Sequence, residues 1–191
     1  MTATVLACVE WRALDREGTD RCRLSRAAHG WLLVGHARFW DDLGFAALDY
    51  VVRCDTGWAT LSADIAGEHD GREVQVRIQR SGARWWVNDL EQEAVSGAVD
   101  IDLSFTPATN LMPLRRLMDR RDIMLDTNAA WLRYPMAALT PLDQTYSRTE
   151  RPGCVRYTAQ QTRYETELMV DSSGFVTLYP ELWAGEVSDA D

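Results

Sequence analysis

Val99-Asp100-Ile101-Asp102-Leu103-Ser104-Phe105 places an apolar residue at every second position, with two aspartates and a serine between them. Side chains alternate across a strand, so this spacing predicts a strand with one apolar and one polar face. The chain then passes through Thr106-Pro107-Ala108-Thr109-Asn110, a run of turn-forming residues. It continues as Pro113-Leu114-Arg115-Arg116-Leu117-Met118-Asp119. Pro113 suits a first helical turn, where N–H groups lack intrahelical acceptors, and Leu114, Leu117 and Met118 fall on one side. One short helix is therefore expected over 113–119.

The period of two recurs outward from this segment. Glu73-Val74-Gln75-Val76-Arg77-Ile78-Gln79 alternates in the same way. Further strands are expected over 4–14, 20–27, 31–40, 45–54, 58–66, 84–89, 123–133, 137–147, 154–160, 164–171 and 175–179. Asp70-Gly71, Ser81-Gly82, Ser96-Gly97, Pro152-Gly153 and Ser173-Gly174 supply turns between them. About a dozen short strands at this spacing predict an all-β fold with a minor helix: a barrel, half-barrel or sandwich, in preference to βαβ units. A single domain is expected over 1–186, with the small and acidic residues 187–191 as a frayed tail.

The 191 residues carry 29 acidic and 20 basic side chains, a formal net charge of −9. A nucleic-acid partner calls for a basic footprint, which this balance lacks, and anionic membranes are disfavoured for the same reason. No apolar run approaches the ~18 residues that span a bilayer, so stable membrane insertion is not expected. Val5-Leu6-Ala7-Cys8 loosely resembles a lipoprotein cleavage site, but the stretch before it is short and lacks a basic start. It reads as a strand, and the chain as cytoplasmic. Cys8, Cys22, Cys54 and Cys154 are far apart and make no ligand cluster, so buried thiols are expected.

Asp100 and Asp102 sit two apart, with Cα atoms roughly 6.5 Å apart on a strand. Such a pair could act as acid and base in glycoside hydrolysis, form a solvated edge, or line a cavity. Arg115 and Arg116 present forked donors suited to a carboxylate, phosphate or sugar hydroxyl, and an internal pair with Asp100 or Asp102 is equally economical. Thr106, Thr109 and Asn110 could bond a ligand's polar end or form the loop's own turns. The eight tryptophans are scattered along the chain; Trp85 and Trp86 point to opposite sheet faces if they lie on a strand, so one of them could line a cavity. His29, His36 and His69 are isolated, and no GxSxG, HExxH or glycine-rich phosphate loop occurs. The residues call for no cofactor and no metal.

The whole segment Asp100–Leu117, with its aspartate-x-aspartate strand, Thr-Pro-x-Thr-Asn turn and Pro-Leu-Arg-Arg helix start, resembles the signature of the bacterial family named for glycolipid binding. Leu48-Asp49-Tyr50-Val51-Val52 with Asp55 and Trp58 fits the same family. So do Ala130-Trp131-Leu132-Arg133-Tyr134-Pro135, Pro141-Leu142-Asp143-Gln144-Thr145-Tyr146, and Val170-Asp171 through Gly174 to Tyr179-Pro180. Ala59 stands where the family often has arginine before threonine. The resemblance implies a large antiparallel sheet curled into a barrel or half-barrel, similar to lipoprotein and glycolipid carriers. It implies non-catalytic binding of an amphiphilic small molecule or glycolipid, met by Asp100, Asp102, Thr106, Asn110, Arg115, Arg116, Trp58 and Trp131. A glycosidase-like hydrolase using Asp100 and Asp102, and a protein–protein interaction domain, are the alternatives.

Overall fold

The alternation read from the sequence becomes strand over most of the chain in the computed structural model, which describes residues 3–189. Successive antiparallel hairpins form one wing: β1 (Thr4–Ala13), β2 (Gly18–Ala27), β3 (Gly30–Asp41), β4 (Gly44–Cys54), β5 (Thr60–His69) and β6 (Arg72–Ser81), then the short β7 (Arg84–Val87) and β8 (Leu90–Glu91). Next come β9 (Asp100–Leu103) and the α-helix α1 (Leu111–Arg120). The second wing is β10 (Met124–Leu132), β11 (Leu139–Arg148), β12 (Cys154–Ala159), β13 (Tyr164–Val170), β14 (Val176–Tyr179) and β15 (Trp183–Asp189). The wings join where β15 pairs with β1, giving one sheet with β8 and β9 as its edges. The sheet is curled and not closed.

Local chemistry sets the turns and the close approaches. Asp70 and Gly71 both take positive φ, 50° and 72°, the requirement of the two-residue hairpin turn that joins β5 to β6. Gly35 pairs with Tyr50 across β3 and β4, and a Cβ there would lie 2.1 Å from the tyrosine ring. Only glycine lets the ring of Tyr50 lie over the neighbouring strand.

The inward residues of every second position form the core, as in Ala46, Leu48, Tyr50, Val52 and Cys54 of β4. The sheet wraps α1, whose Leu111, Met112, Pro113, Leu114, Arg116 and Leu117 are all buried. A helix covered on so many sides must be enclosed, and each buried leucine contributes roughly 1.5–3 kcal/mol. The helix begins two residues before the expected Pro113, after a 3₁₀ turn over Ala108–Asn110. It ends at Arg121, which takes a left-handed φ of 58° and donates its N–H to the Met118 carbonyl.

Two expectations are corrected. β9 runs parallel to β10, with Asp102 beside Trp131, so the sheet is not antiparallel throughout. Parallel neighbours need a crossover, and α1 supplies it. The tail expected from residue 187 is strand as far as Asp189, with Val187 opposite Val9 and Ser188 opposite Cys8. Main-chain pairing to β1 holds this segment whatever its side-chain polarity; residues 190–191 lie outside the described residues.

Candidate functional site

A cavity of about 310 Å³ opens beside β9. One wall is the quoted segment itself, through Asp102, Thr106, Pro107 and Asn110. The other comes from the second wing: Trp131 on β10, Leu142 on β11, Tyr157 on β12, Tyr164 on β13, Tyr179 on β14 and Trp183 on β15. These strands are neighbours in the sheet, so their inward side chains converge although they lie far apart in the chain. Tyr157, Tyr164 and Tyr179 pack together with ring centroids 5.9–6.4 Å apart.

Buried polar groups hold the wall in place. The amide of Gln144 donates to Asp102 Oδ2 at 2.8 Å and to the Tyr157 hydroxyl at 2.9 Å, which uses both of its hydrogens. Asn110 donates to the Tyr146 hydroxyl at 2.9 Å. Among the described residues no donor reaches the second oxygen of Asp102. Burial pushes the Asp102 carboxyl up to about 6; the Gln144 hydrogen bond pulls against this, and the nearby Asp100 adds to it. Thr106 faces the cavity but is tied behind it, since its hydroxyl bonds to the buried Asp20 on β2 and accepts the Ala108 N–H. Burial likewise pushes Asp20 up to about 6, against hydrogen bonds from Thr106 and from Tyr50.

The other half of the nominated residues lies on the far side of the segment. Arg116 grips Asp100 through two bonds, Nη1 to Oδ1 at 2.7 Å and Nη2 to Oδ2 at 2.6 Å. Both residues are buried, and Arg116 also donates to the Trp58 carbonyl and to Thr127. Thr127 in turn donates to Asp100 at 2.8 Å. Trp58 stacks on Trp31 with centroids 4.1 Å apart, and its indole N–H donates to Asp119 at 3.0 Å. Arg115 lies over the same indole and pairs with Asp119 at 3.2 Å.

So Asp102, Thr106, Asn110 and Trp131 line the cavity, whereas Asp100, Arg115, Arg116 and Trp58 lie outside it, bonded to one another and to their neighbours. Gln144, Tyr157, Tyr164, Tyr179 and Trp183 were not singled out as site residues from the sequence. The available signal was their strand alternation, which placed them inward without saying what they face. Asp100 and Asp102 do not open into one cavity, the arrangement that paired acid–base hydrolysis needs. A second hollow of about 540 Å³ lies beside the β5–β6 turn, where buried His69 sits between Asp41 and Tyr134. Among the described residues no group of three His, Cys, Asp or Glu could hold a metal, and no helix is long and apolar enough to cross a membrane.

A curled, unclosed sheet around a buried helix, with an aromatic cavity at its β9 edge, defines the class of protein. The match to the family described as "Putative glycolipid-binding" extends over residues 8–185, and the chain belongs to that family. Its fold is similar to a DUF1089 family protein from Pseudomonas aeruginosa, at 24% identity and TM-score 0.72, covering 86% of this chain and 91% of that one. It is also similar to a beta-barrel-like protein of the DUF1849 family from Brucella abortus, at 10% identity and TM-score 0.53, over 100% of both chains. No curated protein matches the chain.

Proposed function

We propose that this protein binds an amphiphilic ligand, such as a glycolipid, in the cavity beside β9 and does not transform it. The observation that carries this reading is one hydrogen-bonding carboxylate set into a wall of aromatic and aliphatic side chains. Apolar surface supplies most of the affinity in such a cavity, and a few fixed polar groups orient the ligand. Here Leu142, Leu182 and the aromatic rings would take an apolar chain, while Asp102, Asn110 and the tyrosine hydroxyls would meet the polar end. The family membership supports binding as the role. Placing Asp100 in an ion pair speaks against a hydrolase reading of the same strand.

Native mass spectrometry of protein purified from its own host tests the proposal. The expected result is a bound amphiphile that a cavity-filling Leu142→Trp change displaces. Protein that is always free of ligand, and takes up no lipid or detergent-like molecule on titration, would overturn it.

A further inference from the structure

Charge around the Asp100–Leu117 segment is distributed unevenly. Arg116 is spent on Asp100, and Arg115 on Asp119 and the Ser173 carbonyl. Among the described residues lining the cavity, Asp102 is the one charged group, with no arginine or histidine beside it. One oxygen of this carboxylate takes a hydrogen bond from the neutral Gln144 amide, and the other is open to the cavity. A charge partly withdrawn from water without a counter-ion is costly, so a cation or a strong donor would complete the arrangement.

The rest of the lining suits a cation as well. Tyr157, Tyr164 and Tyr179 present aromatic rings to the same cavity, whose faces attract organic ammonium groups, while the rings of Trp131 and Trp183 carry the guanidinium groups of Arg133 and Arg16. The volume is that of about ten water-sized groups, room for a small head and part of one chain. A phosphate or sulfate would meet Asp102 with no compensating donor cation. An uncharged sugar could donate to Asp102 but would leave its charge unneutralised.

Resting on the binding function proposed above, we infer that the cavity selects a head group bearing a protonated amine, seated on the free oxygen of Asp102 among the aromatic rings. An amine-bearing sugar on a single chain meets both requirements. The titratable and charged groups around Asp102 and its cavity are Asp100 on its own strand, Tyr146 on β11, Tyr157 on β12, Tyr164 on β13 and Tyr179 on β14, with Arg133 and Arg16 over the rings of Trp131 and Trp183. Burial pushes all four tyrosines up, so they stay neutral, and amine binding follows the ionisation of Asp102.

Calorimetric titration with octylammonium, octyl glucoside and octyl sulfate, all with the same chain and below their micelle concentrations, tests the inference. At pH 8 octylammonium should bind at least about tenfold tighter than octyl glucoside, a difference of about 1.4 kcal/mol, and octyl sulfate should not bind. At pH 5 the advantage of the amine should disappear. Asp102→Asn should abolish both the advantage and its pH dependence, which also separates Asp102 from Asp20, whose carboxyl is likewise raised to about 6. Equal or tighter binding of the glucoside, any binding of the sulfate, or an unaffected Asp102→Asn variant would overturn the inference and leave the cavity reading standing. Failure of all three probes would overturn both.

Discussion

Asp100 and Asp102 stand two residues apart on one face of β9, yet their surroundings are opposite. Asp100 is locked by a two-pronged arginine, a threonine and complete burial. Asp102 has a single neutral partner and an oxygen open to a cavity. The Asp100 end of β9 is thus clamped to α1 and the β4–β5 loop, and the Asp102 end opens on the cavity. A carboxylate with a dedicated cation closes a site; a carboxylate held only by an amide leaves one available.

The same substitution at both positions puts the largest effect on this contrast. Asp100→Asn leaves the Arg116 charge buried without a counter-ion, and a loss of about 3–5 kcal/mol in urea denaturation is expected. Asp102→Asn keeps the oxygen that accepts from Gln144 and removes an uncompensated charge. Its carboxyl is raised from 3.8 to about 6, worth ~3 kcal/mol at full weight. Because the side chain is only half-buried at the cavity wall, a gain of roughly 1–2 kcal/mol at pH 8 is expected. Equal losses at the two positions would erase the distinction between clamp and site.

Much of the fold was legible because alternation in β4, β6 and β9 states which residues share a face. The long partners of β9 were not. A period of two does not reveal that α1 carries the chain over to a parallel strand, nor that residues 187–189 find backbone partners on β1. The segment's acids and arginines were visible together, but their division was not. Which carboxylate Arg116 reaches depends on how a helix sixteen residues further on seats against Asp100. Tyr157, Tyr164 and Tyr179 meet only because three consecutive hairpin strands curl toward the segment.

The second effect is in the pH dependence of stability. Asp20 and Asp102 both titrate at about 6 in the folded chain, above the ordinary 3.8. The folded state therefore holds these protons more tightly than the unfolded state. The stability they contribute is fully present below about 3.8 and is lost as pH rises through about 6. Thermal unfolding should show a higher midpoint at pH 5 than at pH 8. Asp102→Asn should shrink this difference mainly by raising the pH 8 value, since the general charge repulsion of the chain is common to both proteins. An unchanged difference in the variant would show that Asp102 is not the half-buried, uncompensated acid that the comparison requires.

The smallest effect tests the clamp side from its edge. Trp58 has the aromatic character of a ligand wall, but its ring is covered by Trp31 and Arg115, and its N–H is committed to Asp119. Its backbone takes a φ of 69° after a turn in which Asp55 accepts the N–H groups of Gly57 and Ala59. Trp58→Phe keeps a ring on Trp31 and loses the indole donor, so stability should fall by about 1 kcal/mol. Affinity for whatever the cavity binds should stay within about twofold, because Trp58 is not one of the residues lining it. A tenfold loss of affinity with unchanged stability would place the ligand's path along Trp58 and make the clamp part of the site.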